Sequence, residues 1–235
     1  MATLETAVTR QPSSFLEGVR AAGPVMLGYL PIGFAFGVLA RTAGLTVAEI
    51  GLMSVLVYAG SAQFIGAAMI GAGAPAPAII STTFLVNLRH LLMSTALVPS
   101  LRQNRAWQNS LLAFGITDET FALNSALLRG QPASPAFVAG VHVSAQASWV
   151  LASVAGALVG QMAANTEALG LDFALPAMFI GLLVPQISGA ERWKKVLSAL
   201  VAAAVSIGIL LLSPGSGWAI IGATVVGATV GVLLK

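Results

Sequence analysis

The sequence contains no cysteine, only two histidines and few charges. Without cysteine there is no disulfide framework and no thiolate metal site. Two histidines with no cysteine argue against a metal enzyme. No HExxH pair, P-loop, nucleotide fingerprint or Ser-His-Asp set occurs, so neither catalysis nor a cofactor is expected. Charged side chains, 11 basic and 8 acidic, make up 8% of the 235 residues. An ordinary soluble domain carries roughly 25%, and a water-soluble fold of this length needs more charge to cover its surface. The net charge of +3 does not point to nucleic acid, because most Lys and Arg lie between apolar segments, where they orient a membrane protein. The N-terminal stretch MATLETAVTRQPSSFLEGVR has no apolar core followed by a cleavage site. Residues 1–19 are therefore expected to remain as a cytoplasmic polar tail. Ala2 in second place excludes N-myristoylation.

What the chain has is apolar length. Hydrophobic residues make up 57% and the mean hydropathy is +0.90. A helix needs about 20 mostly apolar residues to cross a bilayer. Candidates lie at roughly 21–40, 48–73, 76–98, 108–128, 135–163, 173–189, 196–213 and 217–234. No segment alternates with period two, which argues against a β-barrel. The expectation is an all-α polytopic membrane protein of about 6–8 membrane segments, with residues 20–235 as one transmembrane domain.

Two segments carry interruptions: Gly23-Pro24, Pro31 and Gly33 in the first, and Pro176 and Pro185 in the sixth. Proline removes a helix hydrogen bond and clashes with the preceding turn, and in lipid the freed carbonyls need partners. Short Pro/Gly-interrupted segments are the sequence pointer to a transporter's binding site. Both segments are therefore expected to be broken or re-entrant. If all eight segments span, Arg41, Arg102 and Arg105 lie outside. If the first and sixth re-enter, all three move inside, which the positive-inside rule prefers. In either drawing both termini are cytoplasmic. Small residues recur every fourth position from Gly140 to Gly160 and from Ala219 to Gly231, the pattern that lets helices approach closely in lipid.

Polar residues at membrane depth are costly and need a reason. Segment three carries Asn87, Arg89 and His90, and segment four carries Thr117, Asp118 and Glu119, at similar depth. Thr83, Asn87, His90 and Ser94 fall on one helical stripe, with Arg89 about 100° away. Arg89 is expected to pair with Asp118 or Glu119, because an unpaired buried charge costs far more than a paired one. The remaining carboxyl group and His90 are candidates for proton or ion coupling, and a purely structural ion network is the alternative. In segment two, Ser54, Tyr58 and Ser61 share a face, and Gln63, with donors and an acceptor to satisfy, is a candidate for a substrate bond. His142 and Gln146 read as packing or interface.

Gly23-Pro24, Pro31-x-Gly33-x-Ala35-Phe36-Gly37, Tyr58-Ala-Gly-Ser-Ala-Gln63-Phe64, Asn87-Leu-Arg89-His90 with Met93-Ser94, and Thr117-Asp118-Glu119 with Phe121-Ala122 together resemble the azaleucine-resistance, AzlC-type, branched-chain amino acid exporters. The resemblance covers roughly residues 20–165. It implies the large subunit of a two-component permease of the bacterial inner membrane. A small hydrophobic AzlD-type subunit would be its partner, valine-like amino acids its substrates and the ion gradient its drive. A zwitterion needs a partner at each end: a half-helix amino terminus suits the carboxylate, and Asp118 or Glu119 suits the ammonium. Phe34, Phe36 and Phe64 are wall candidates, with lipid-facing placement the alternative. Rival readings are a passive channel and a structural assembly subunit.

Overall fold

The computed structural model describes residues 13–128, 130–160, 180, 192–213 and 218–234. Among the described residues there are ten helices and no strand: α1 (Phe15–Ala21), α2 (Gly23–Thr42), α3 (Val47–Leu56), α4 (Gly60–Gly71), α5 (Ala76–Leu101), α6 (Ala106–Phe114), α7 (Asp118–Leu128), α8 (Pro135–Gly160), α9 (Arg192–Leu212) and α10 (Trp218–Leu233). Helices α2, α5, α8 and α9 are long and apolar enough to cross a bilayer. The sixth sequence segment, with Pro176 and Pro185, lies outside the described residues.

The interruptions fall elsewhere than expected. Pro31 sits inside a continuous α2. The chain pauses only at Ala22, next to Gly23-Pro24, where α1 gives way to α2. A single proline in a lipid-facing helix is tolerated when local adjustments satisfy the freed carbonyl, and Pro31 is on the exposed side. The second and fourth segments, read from sequence as unbroken helices, are each two short helices: α3 and α4, and α6 and α7. At 10 and 12 residues for one pair and 9 and 11 for the other, no single member spans about 30 Å of hydrocarbon.

Registers against the long helices give the direction of each piece. Gly51 meets Val154, and Val55 meets Gln146, so α3 runs antiparallel to α8. Helix α2 runs parallel to α8, with Gly18 just before it against Gly140, Gly33 against Ala152, and Gly160 against Val38. Helix α4 runs parallel to α2: the rings of Tyr29 and Tyr58 lie 6.5 Å apart, those of Phe36 and Phe64 5.4 Å apart, and Gly71 meets Ala43. The α3–α4 pair is therefore a hairpin that enters from the Thr42 end of α2 and returns to it. The α6–α7 pair does the same from the other end. Asn109 bonds the Leu101 carbonyl, Gly115 reaches His142, and Leu128 returns to the cluster of Leu97, Leu101 and Phe137. Helix followed by hairpin thus occurs twice in opposite orientation, α2 with α3–α4 and α5 with α6–α7. This is the inverted-repeat arrangement of many membrane transporters.

Helix α8 holds the assembly together. Gly140 and Gly156 lie so close to the carbonyls of Phe15 and Phe34, and Gly37 to that of Ser153, that a Cβ at any of the three would collide with main chain. The small-residue face of α8 is thus a helix-packing surface, as its spacing indicates. In α10, Gly227 and Gly231 face Ala202 and Ser198 of α9, and the Ser198 hydroxyl donates to the Gly227 carbonyl at 2.5 Å. That face serves the α9–α10 hairpin within this chain. Leu88, Leu91 and Leu92 of α5 and Leu151 and Leu158 of α8 are exposed, as expected of side chains whose solvent is lipid. The protein is a multi-pass membrane protein.

Candidate functional site

The two hairpin tips meet near the middle of α5. At the first tip Tyr58 has φ +42°, a left-handed conformation that costs a non-glycine residue roughly 1–2 kcal/mol. Four hydrogen bonds hold the turn. Gln63 Oε1 accepts from the Ala59 amide at 3.2 Å and from the Trp149 indole at 3.0 Å. Gln63 Nε2 donates to Ser54 Oγ at 3.2 Å, and Gln146 of α8 donates to the Val55 carbonyl at 3.0 Å. The last of these satisfies a carbonyl that α3 leaves open where it stops. Helix α4 then starts at Gly60 with no side-chain cap, so its amino end faces the interior with N–H groups available and a positive dipole end.

At the second tip Thr117 and Thr120 cap the start of α7 reciprocally, each hydroxyl accepting from the other's amide at 2.8 and 3.3 Å. Asp118 and Glu119 occupy the first turn, where the helix dipole favours negative charge. Gly115 leaves room for the His142 ring, which a Cβ there would overlap. His142 in turn bonds Asn124 at 3.0 Å.

Arg89 of α5 joins the tips. Its guanidinium pairs with Asp118 at 3.0 Å and also donates to the Ser61 hydroxyl. From α2, the Tyr29 hydroxyl donates to Glu119 at 2.8 Å and lies 2.6 Å from Thr117 Oγ1. One carboxylate therefore neutralises Arg89 and the other is held by a phenol. The pocket they enclose has two characters. Arg89, His90, Asp118, Glu119 and Ser61 make the polar side, and Tyr29, Tyr58 and Trp149 the aromatic side. The space open to a water-sized sphere is about 10 Å³, room for roughly one water. His90 Nε2 and the Tyr58 hydroxyl are buried without a hydrogen-bond partner, the condition in which a buried polar group calls for an explanation.

Of the residues singled out from sequence, Tyr58, Ser61, Arg89, His90, Asp118 and Glu119 come together here. Arg89 and His90, about 100° apart as neighbours on a helix, both line the pocket, and Arg89 continues the buried stripe of Met93, Leu97 and Ser100 along α5. Asn87 stays outside the lining, with a buried, unpartnered Oδ1. Gln63 sits behind the pocket, bonded to Ala59, Ser54 and Trp149. Ser54 is its partner because the reversal at Tyr58 resets the helical phase. Gly23 and Pro24 mark the α1–α2 junction, Pro31 is exposed, and Gly33 packs on Ala152 and Trp149. Phe36 and Phe64 are buried in an aromatic cluster with Trp149 and face neither pocket nor lipid. No group of three or more metal-ligating side chains occurs among the described residues.

Sequence reasoning missed Tyr29, Trp149 and the break at Gly115. The signals were present. Thr117-Asp118-Glu119-Thr120 is a helix-start pattern inside an apolar segment, and a tyrosine deep in an apolar run needs a partner for its hydroxyl.

A family model described as AzlC protein matches residues 24–163. Inner membrane protein YgaZ of Escherichia coli is 34% identical over 187 residues, 75% of this chain and 76% of that protein. An uncharacterized membrane protein of Archaeoglobus fulgidus is 31% identical, covering 85% of this chain and 86% of its own. The branched-chain amino acid transport protein AzlC of Bacillus subtilis is 30% identical over 82% of this chain and 74% of its own. No solved structure matches the chain.

Proposed function

The chain belongs to the AzlC family, and on that premise we propose that it is a transporter exporting branched-chain amino acids across the inner membrane, with a small hydrophobic AzlD-type subunit as its partner. The observation that carries this reading is the meeting of two opposed hairpin tips around Arg89, Asp118 and Glu119. The α-carboxylate goes to the open amino end of α4 and to Arg89, where dipole and charge act together. The α-ammonium goes to Glu119, the carboxylate that Arg89 leaves over. The aliphatic side chain lies toward the aromatic side.

A pocket with room for about one water does not admit an amino acid, so one tip must withdraw to load it and the other to release it. Each hairpin opens toward a different end of the bundle, which gives alternating access without moving the site. A passive pore fits this closed centre poorly. Arg20, Arg102 and Arg105 belong to the end at which α6–α7 enters and Arg41 to the other. The positive-inside rule therefore makes the α6–α7 side cytoplasmic, together with the N-terminus. Proton coupling falls to Glu119 and His90, the carboxyl group and the imidazole that line the pocket outside the Arg89–Asp118 pair.

The test is efflux of labelled valine from vesicles containing the protein and its small partner. Release faster than from protein-free vesicles, and sustained against an opposing valine gradient when a proton gradient is imposed, supports coupled export. Release that only follows the valine gradient would indicate a channel, and no difference from empty vesicles would sink the valine reading. Tyr29→Phe sharpens the test. It keeps the ring contacts with Tyr58 and Trp149 but deletes the hydroxyl that holds Glu119. A hydrogen bond to a charged group contributes about 1.5–3 kcal/mol, so initial efflux at equal protein level should fall by roughly 10- to 100-fold. An unchanged rate would remove Tyr29 from the site.

A further inference from the structure

Trp149 is the largest fully buried side chain of the described residues and one of the pocket's lining residues. Its ring is fixed on three sides. Tyr29 meets it edge-on at 5.2 Å, Phe36 stacks on it at 6.0 Å, and the indole N–H donates to Gln63 Oε1. Gln63 has no alternative orientation, because its oxygen faces two donors, Ala59 N–H and the indole, while its nitrogen faces Ser54. The carboxamide therefore locks the indole to both arms of the α3–α4 hairpin. Deep burial and this bond fix the indole in the wall of a pocket that Arg89 and Glu119 also line. A substrate held by those two groups therefore meets an aromatic surface that yields little, and that surface limits how long or broad a bound side chain can be.

We propose that Trp149 is the specificity-determining wall for the substrate side chain, and that Gln63 is the positioning residue that fixes it. The inference rests on the proposed amino acid transport and adds to it a size limit. Aliphatic side chains of valine and leucine size are accepted, aromatic ones are excluded, and the limit is set by α8 and the α3–α4 hairpin. One methylene too many at a rigid apolar wall discriminates by roughly 10- to 200-fold.

The experiment measures vesicle efflux of labelled valine in the presence of unlabelled phenylalanine or leucine. In wild type, leucine competes and phenylalanine does not. Trp149→Ala should raise phenylalanine competition, relative to leucine, by about 10-fold or more. Gln63→Met, which leaves the pocket lining untouched, should shift the ratio in the same direction by a smaller factor. It should add nothing in the Trp149→Ala background, since a positioning residue has no effect once the group it positions is gone. A merely structural role would lower valine efflux without moving the ratio. Should Trp149→Ala not reach the membrane, Trp149→Phe carries the same test with methionine as the larger competitor. A wild type that moves valine, with variants whose ratio stays put, overturns this inference alone. A wild type that moves no amino acid overturns the transport reading and this inference with it.

Discussion

Arg89→Met protein should reach the membrane yet export valine at about one-hundredth of the wild-type rate or less. Removing one partner of a buried ion pair costs about 3–5 kcal/mol. Here the side chains keep 30% and 23% of their exposure, which screens the pair and lowers that stability cost to about 2–3 kcal/mol. The near-hundredfold fall in export comes from the missing cation at the substrate carboxylate, a charged hydrogen bond of about 1.5–3 kcal/mol. The stability loss has two sources: Asp118 is left uncompensated beside Glu119, and Ser61 of the facing tip loses its donor. Arg89→Lys keeps the charge but lacks the planar fork that reaches both tips at once, so an intermediate loss is expected. The Arg89→Met, Asp118→Asn double variant separates scaffold from function. Neutralising both members should restore thermal stability toward wild type, while export stays near zero because the carboxylate-binding cation is absent. If the double variant recovers export along with stability, the pair is only a strut between the hairpins, and the substrate must be held elsewhere.

Gly156→Leu should prevent accumulation of folded protein altogether. A Cβ at Gly156 would lie on the carbonyl oxygen of Phe34 and 2.9 Å from its Cα, and main chain in the middle of α2 cannot swing aside as a side-chain tip can. Overpacking of side chains costs about 1–3 kcal/mol. A backbone collision belongs at or above the upper end, a large share of a total stability of about 5–15 kcal/mol. Separating α2 from α8 also removes the shared floor on which both hairpin tips stand, since Tyr29 and Trp149 come from these two helices. The measurement is the monodisperse fraction after detergent extraction and its thermal midpoint. Gly28→Ala and Gly208→Ala serve as controls, because a Cβ at either position meets nothing and alanine favours helix; both should match wild type or exceed it slightly. A Gly156→Leu protein with a wild-type midpoint would mean that α2 and α8 do not pack as closely as described.

Part of this architecture is written in local chemistry. A chain with 57% hydrophobic and 8% charged residues can place its surface only in lipid, so the class follows from composition. The bounds of α2, α5 and α8 follow from apolar length. The small-residue face of α8 follows from a four-residue period. The neighbourhood of Arg89 and Asp118 follows from depth and the cost of an unpaired charge. The family resemblance rests on ordered motifs, and the match over residues 24–163 bears it out.

Only the tertiary structure decided which segments reverse. Proline and glycine suggested a break at Pro31, yet α2 continues through it, because one missing hydrogen bond on an exposed face is a small loss for a helix packed along α8. The reversal at Val57–Ala59 carries no proline, and its strained Tyr58 is held by Gln63, Gln146 and Trp149, partners up to 91 positions away in sequence. Two half-length helices add up to the length of one span, so hydropathy cannot distinguish a hairpin from a crossing. The direction of each half is set by side chains that meet across the bundle. For the same reason Tyr29 and Trp149 entered the site unannounced: each lies in an apolar run, and its role depends on neighbours that only the packed helices bring within reach.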